Sequence, residues 1–186
     1  MNGALYLSEM AMSGGKSETY PGAPYGGGYC DAQCFKNAWF NGTVNNNVLG
    51  ACCNEFDVWE SNKEATGFTP HPCSIESIYG CTGEECTFDG VCDQWGCGFN
   101  PYSLGEPRYF GPGSDFVIDT TKTFTVTTQF ITDDGTASGS LIDIKRFYRQ
   151  EGKVIENAVA TADSGYEGLQ SITDVSNSFS SFEQNS

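Results

Sequence analysis

The sequence predicts an all-β protein, with antiparallel strands joined by long loops into a β-sandwich. Three observations lead there. Residues 123–130 alternate Phe124, Val126 and Thr128 with Thr123, Thr125 and Thr127, a period-two run dominated by β-branched residues. Glycine is abundant, 23 residues in 186, and apolar content is 38%, which suits a loop-rich β chain better than a helical one. No internal repeat competes, and the one short stretch with helical character lies near 166–172.

Taken in order, residues 3–12 begin with Ala4, Leu5, Tyr6 and Leu7 and are expected to form a buried strand. Residues 13–28, rich in Gly, Pro, Ser and Tyr, read as a long loop. A short strand is expected around Cys30–Cys34, and 37–50 as another loop. Within it Asn41-Gly42-Thr43 is an N-glycosylation acceptor sequence, with Asn41 the acceptor if the protein is secreted. A strand across 52–60 follows. Residues 61–114 carry five cysteines among Gly and Pro and read as stapled loops rather than regular elements. From 115 the pattern is β again. The strand at 123–130 turns at Asp133-Asp134-Gly135 into a partner through Leu141, Ile142, Ile144, Phe147 and Tyr148, and Gln150-Glu151-Gly152 turns the chain into Lys153–Ile155. Residues 174–186 read as a divergent polar tail.

Charge and cysteine content narrow the classes. A formal charge of −15 and a pI near 4.1 set the surface against phosphate backbones and anionic bilayers. Nucleic acid and membrane are therefore excluded as partners, and no 18-residue apolar run offers a spanning helix. The same acidity also serves plain solubility. Nine cysteines suit disulfides in an oxidising compartment. Cys30 and Cys34 at C-x3-C spacing are compatible with half a zinc site, but the single histidine, His71, sits between two prolines. The 24 acidic residues form no loop with calcium-ligand spacing. No metal and no cofactor is expected. Nine is an odd number, so at least one cysteine lacks an internal partner. No basic, apolar leader precedes Asn2, so the expectation is a secreted monomer whose signal peptide is absent from this chain.

Cys52-Cys53-Asn54-Glu55-Phe56-Asp57-Val58-Trp59-Glu60 is the stretch with chemistry in it. In a strand Glu55 and Asp57 share a face and Glu60 points away. One β-bulge between Asp57 and Glu60 returns Glu60 to the face of Glu55. Their Cα atoms then lie roughly 13 Å apart, at ~3.3 Å per residue, and inward-leaning side chains can reach the ~5–5.5 Å of a retaining glycosidase. A charged edge strand, kept soluble by its acids, has the same spacing.

Glu-Phe-Asp-Val-Trp-Glu resembles the E-x-D-x-x-E signature of family 7 glycoside hydrolases, the fungal and protist cellulases. Other stretches resemble that family in its order. They are Asn2-Gly3-Ala4-Leu5-Tyr6, Gly28-Tyr29-Cys30-Asp31-Ala32-Gln33-Cys34, Thr69-Pro70-His71-Pro72-Cys73, Cys97-Gly98-Phe99-Asn100-Pro101-Tyr102, Phe110-Gly111-Pro112-Gly113 and the Asp119–Phe130 run. The likeness runs from residue 2 to about residue 173. It implies a concanavalin-like jelly-roll β-sandwich with a substrate cleft on its concave sheet. It also implies that residues 1–186 are one part of a catalytic domain normally more than twice as long.

The resemblance implies roles as well. Glu55 matches the nucleophile, Glu60 the acid/base, Asp57 the carboxylate that orients the nucleophile, and His71 the histidine near the acid/base. Three clustered acids cannot all ionise cheaply, so one is expected to hold a proton, and Glu60 beside Trp59 is assigned it. Tyr6, Gln33, Asn2 and Asp31 match residues that line the cleft and contact substrate; Tyr6 is equally readable as a core aromatic. The implied disulfides are Cys30–Cys53, Cys34–Cys52, Cys73–Cys92 and Cys81–Cys86, with the partner of Cys97 further along the family's chain.

The implied substrate is a β-1,4-glucan. The short Cys34-to-Cys52 span resembles the endoglucanase branch, as do Gly98-Phe99, the 133–139 turn and the absence of arginine from Glu85-Cys86-Thr87-Phe88-Asp89. The added loop from Cys81 to Cys92 departs from it. The alternatives are a reducing-end cellobiohydrolase of the same family, an inactive fragment, a non-catalytic carbohydrate-binding sandwich, and a disulfide-stapled structural protein.

Overall fold

The computed structural model describes residues 2–14, 27–40 and 42–159. Asn41, most of the 13–28 loop, the stretch near 166–172 and the 174–186 tail lie outside the described residues. The chain separates into two compact units. One comprises Leu5–Val58 with Thr69–Gly96, here the carboxylate unit. The other comprises Met1–Ala4, Trp59–Phe68 and Cys97–Ser186, here the hairpin unit. The described residues are β-strands and loops, with one 3-10 turn at Gly83–Cys86 and no α-helix.

Strands β1 (Gly3–Ser8), β6 (Glu55–Ser61) and β7 (Thr66–His71) pair in the order β1-β6-β7, and each contributes residues to both units. Pro70, which has no N–H to donate, sits in an end strand of this sheet, where a missing donor disrupts no ladder between named strands. Burial departs from the expectation for β1. Leu5 is 62% exposed and Leu7 57%. Apolar composition shows what a strand prefers to touch, but burial needs a facing layer, which the described residues do not supply.

In the carboxylate unit, β5 (Gly50–Cys52) lies between β2 (Phe35–Lys36) and β8 (Tyr79–Cys81). The 30–34 stretch is a turn rather than the expected strand. Asp31 makes a single parallel bridge to Cys52, and Cys34 adopts φ +57° to leave the turn. Residues 37–50 contain a small hairpin of β3 (Trp39–Phe40) and β4 (Thr43–Val44). The unit's core is largely sulfur. Cys30, Cys34, Cys52, Cys53, Cys81 and Cys92 are buried around Ala32 and Ala51. The disulfides are Cys30–Cys53, Cys34–Cys52, Cys73–Cys92 and Cys81–Cys86. Gly50 is required by this packing, since a Cβ there would fall 2.6 Å from Cys81 Sγ.

In the hairpin unit, short β9 (Phe110–Gly111) and β10 (Ile118–Asp119) pair in parallel. Strands β11 (Thr125–Thr132), β12 (Leu141–Gln150) and β13 (Lys153–Glu156) form an antiparallel meander. Thr125 pairs with Arg149, and a register shift falls at Ile131/Thr132 beside the 133–135 turn. Glu151 and Gly152 both take positive φ, the geometry of a two-residue hairpin turn. Trp59, Phe110, Phe124 and Tyr148 pack ring against ring. Buried Arg146 places its guanidinium over Trp59 at 5.4 Å and Phe68 at 4.7 Å and donates to Thr128 Oγ1. Asp119 and Gln150 exchange two buried hydrogen bonds of 3.0 and 2.9 Å, tying β10 to β12.

Candidate active site

Three titratable side chains meet at the first half of β6 and the end of β7. Glu55 is 9% exposed, Asp57 7% and His71 6%. Their residue types prefer water, so burying them together requires specific partners. Glu55 finds one in a backbone amide: Ala32 N–H donates to its Oε2 at 3.1 Å. That amide is aimed by the 30–34 turn. The turn is held on β5 by two disulfides and by hydrogen bonds from Asp31 N–H to Ala51 O and from Cys53 N–H to Asp31 O. Asp31, 7% exposed, accepts the Phe35 N–H and stands close enough to act on both carboxylates electrostatically.

His71 is gripped from both sides. Its Nε2 lies 3.0 Å from Asp57 Oδ2, and its Nδ1 lies 3.0 Å from the Asp93 carbonyl. A carbonyl only accepts, so Nδ1 carries the proton. Nε2 faces the Asp57 carboxylate, so His71 opposes the effect of that carboxylate on Glu55.

Burial raises the Glu55 carboxyl above its ordinary pKa; the Ala32 amide opposes this, Asp57 and Asp31 add to it, and His71 opposes it. Burial likewise raises Asp57, against the pull of His71. In the structure the raised carboxyls among the described groups include Glu55 and Asp57, for the plain reason that both are nearly out of water.

The remaining sequence-predicted residues are placed as follows. Tyr6, 40% exposed on β1, packs edge to face with Tyr29, ring centroids 6.4 Å apart. Gln33 is exposed, and its carbonyl accepts from Gln94 Nε2 at 3.5 Å. Glu60 lies further along β6, half-buried, in the hairpin unit; Asn2, exposed just before β1, belongs to that unit too. The sulfurs of Cys34, Cys52 and Cys92 cluster within 4.8 Å of one another, but all three are in disulfides, so they offer no thiolate to a metal.

Tyr29, Asp93 and Gly96 were not read as site residues. Burial, with the Tyr6 hydroxyl next, pushes the Tyr29 phenol well above its usual range beside Asp31 and Glu55. Gly96 has φ +69°, and a Cβ there would lie 2.5 Å from His71 Cε1, 2.6 Å from Nδ1 and against Thr69 Cγ2. The one available signal was Gly96 itself, a glycine in a turn.

Gly96→Ala is expected to push the His71 ring off Asp57. Because His71 is the only histidine, its ring nitrogens give a single resolvable set of NMR signals. Those signals should shift, and any hydrolytic activity should fall about tenfold or more. Gly135→Ala is the control, having φ +70° with open space around it. It carries the strain of positive φ without the clash, roughly 1–2 kcal/mol, and should leave His71 unmoved.

A buried carboxylate fixed by a backbone amide, beside an Asp–His pair on the same face of a β-sheet, can serve as a held nucleophile or base. The model of glycosyl hydrolase family 7 matches residues 1–185. The chain belongs to that family. Endo-β-1,4-glucanase celB of Emericella nidulans is 55% identical over 187 residues, covering 94% of this chain and 42% of its own. The endocellulase EGI of Humicola insolens superposes with a TM-score of 0.84 at 44% identity, over 98% of this chain and 46% of that one. A family 7 cellobiohydrolase from Daphnia pulex does so with a TM-score of 0.84 at 40% identity, over 93% and 44%. The fold is that family's, an all-β jelly-roll sandwich with disulfide-stapled loops. This family 7 chain spans about two-fifths of the length of the relatives it matches.

Proposed function

We propose that this chain carries the carboxylates of a retaining endo-β-1,4-glucanase acting on cellulose or related β-glucans. The observation that supports it most is the Glu55 carboxylate, buried and hydrogen-bonded by Ala32 N–H beside the Asp57–His71 pair. A nucleophile needs one fixed trajectory and a lone pair free for the anomeric carbon. One Glu55 oxygen is engaged by the amide. The other attacks, and the glycosidic bond breaks as Glu60 protonates the departing oxygen. A glycosyl–enzyme ester remains. Glu60, now ionised, takes a proton from water, the water oxygen bonds to the anomeric carbon, and Glu55 leaves with its electron pair.

Asp57 and His71 serve as a charge-compensated buttress. A free carboxylate beside Glu55 would raise its pKa further and weaken it as a nucleophile at acidic pH, whereas His71 counters that charge. Tyr6, Gln33, Asp31 and Asn2 are read as sugar contacts. The name of the Emericella nidulans relative favours endo-cleavage, as does the short Cys34-to-Cys52 span. Four disulfides favour a secreted protein, and among the described residues no helix is long and apolar enough to cross a membrane. We read it as a monomer.

The acid/base role of Glu60 is tested by Glu60→Gln on two substrates. An aryl glycoside with a good leaving group needs little protonation, whereas a glucan needs it fully. Glucan hydrolysis should fall by ~100-fold or more while aryl glycoside cleavage falls far less. Equal losses would remove the assignment. A fall in the viscosity of a soluble glucan well ahead of reducing-end release marks endo-cleavage, and parallel curves would favour action from chain ends.

A further inference from the structure

Phe88 and Trp95, in the loop between Thr87 and Gly96, have no task in the proposed reaction. Across that loop they stack almost face to face, with ring centroids 4.6 Å apart and planes 19° from parallel. Stacking hides aromatic surface, yet Trp95 remains 74% exposed and Phe88 56%. One indole face lies on Phe88 and the other meets solvent. Two large rings held in water forgo the gain of burial, which makes the pair a candidate surface for a ligand to lie on.

The loop holds these rings still. Cys92 is tied to Cys73, and Gly90 N–H and Val91 N–H close onto Thr87 O and Glu85 O. Asp93 Oδ1 accepts the N–H of Trp95 at 3.1 Å and of Gly96 at 2.9 Å. Gln94 Nε2 donates to Cys86 O at 2.9 Å and reaches Gln33 O at 3.5 Å. A pre-ordered ring loses little freedom when something binds to it.

Its position ties it to the carboxylates. Asp93, which orders the Trp95 backbone, also holds His71 Nδ1 with its carbonyl. The Gly96 backbone touches the His71 ring. One further Cα step of about 3.8 Å puts the Trp95 Cα on the order of 8 Å from that ring. The Trp95 backbone therefore lies near the Asp57–His71 end of the site, within the same compact unit.

We propose that the Trp95–Phe88 stack is a platform for a pyranose ring of the β-1,4-glucan, flanking the His71 side of the cleavage site. The inference rests on the glucanase reading above. A β-linked glucose carries its hydroxyls equatorially, leaving two flat faces of axial C–H and a polar rim. An indole face matches such a surface, and the Asp93 and Gln94 groups beside it match the rim.

The test uses the intact chain carrying Glu55→Gln, which should bind without turnover, with cellotetraose as probe. Among the indole N–H signals of the three tryptophans, that of Trp95 should shift on titration. Adding Trp95→Ala should weaken binding about five- to tenfold, and Phe88→Ala less, by loosening the stack. In the active chain Trp95→Ala should raise KM by a similar factor with little change in kcat. An exposed ring should be removable without loss of the thermal transition, which guards against misfolding. If cellotetraose binds while the Trp95 signal and the Trp95→Ala affinity stay unchanged, the platform is wrong and the glucanase reading survives. If the Glu55→Gln chain does not bind cellotetraose and the unsubstituted chain does not hydrolyse the glucan, both are wrong.

Discussion

Glu55→Gln is expected to lower hydrolysis of a soluble β-1,4-glucan by about a thousandfold or more, with the fold retained. Gln keeps the volume of Glu and offers a carbonyl to the Ala32 N–H, so the amide that fixes Glu55 stays satisfied. What is lost is the anionic oxygen that forms the ester. Reducing-end release compared between wild type and variant is the measurement, and equal rates would remove Glu55 from the mechanism.

The same substitution has a pH signature. Burial raises the Glu55 carboxyl above its ordinary 4.5, so ionisation, and with it kcat/KM, should rise with pH through a value above that. For stability the sign is the reverse. A carboxyl that binds its proton more tightly when folded stabilises the fold below its unfolded pKa. That contribution is lost as pH rises through the raised folded value. Thermal transitions between about pH 4 and 7 should therefore fall less steeply toward neutral pH in Glu55→Gln than in wild type.

Removing the Cys34–Cys52 bond, as Cys34→Ser with Cys52→Ser, is expected to cost about 3 kcal/mol, from a closed loop with a sequence separation of 18. At this chain length that is roughly 6–12 °C in the thermal midpoint. The consequence should exceed that of an ordinary surface staple. Cys34 and Cys52 are part of the buried core of their unit, and the turn they anchor carries the Ala32 amide. Activity should fall along with stability. A thermal midpoint within about 2 °C of wild type would show that the core does not depend on this bond.

Much of this was legible along the chain. The alternation from Phe124 to Thr128 gave β11, and the turn residues at 133–135 and 150–152 gave β12 and β13 after it, because strand period and turn chemistry are local properties. The acids of β6 were legible as a cluster, and the family motifs around them supplied candidate roles. Other features were not local. Thr66–His71 read as irregular because Gly67 and Pro70 interrupt it, yet it pairs as a strand in β7. Ala4, Leu5 and Leu7 read as buried, though only a facing layer could have made them so.

By itself, then, the sequence determined an acidic, disulfide-bearing β chain and which carboxylates stand together on one strand. Tertiary structure decided what those carboxylates are worth chemically. The amide on Glu55 comes from a residue 23 positions earlier, and the carbonyl on His71 from one 22 positions later. Gly96 matters only because a distant ring lies against it. Periodicity reports a residue's neighbours along the chain. Charge state and orientation in a dry site are set by whichever backbone groups the fold brings from elsewhere.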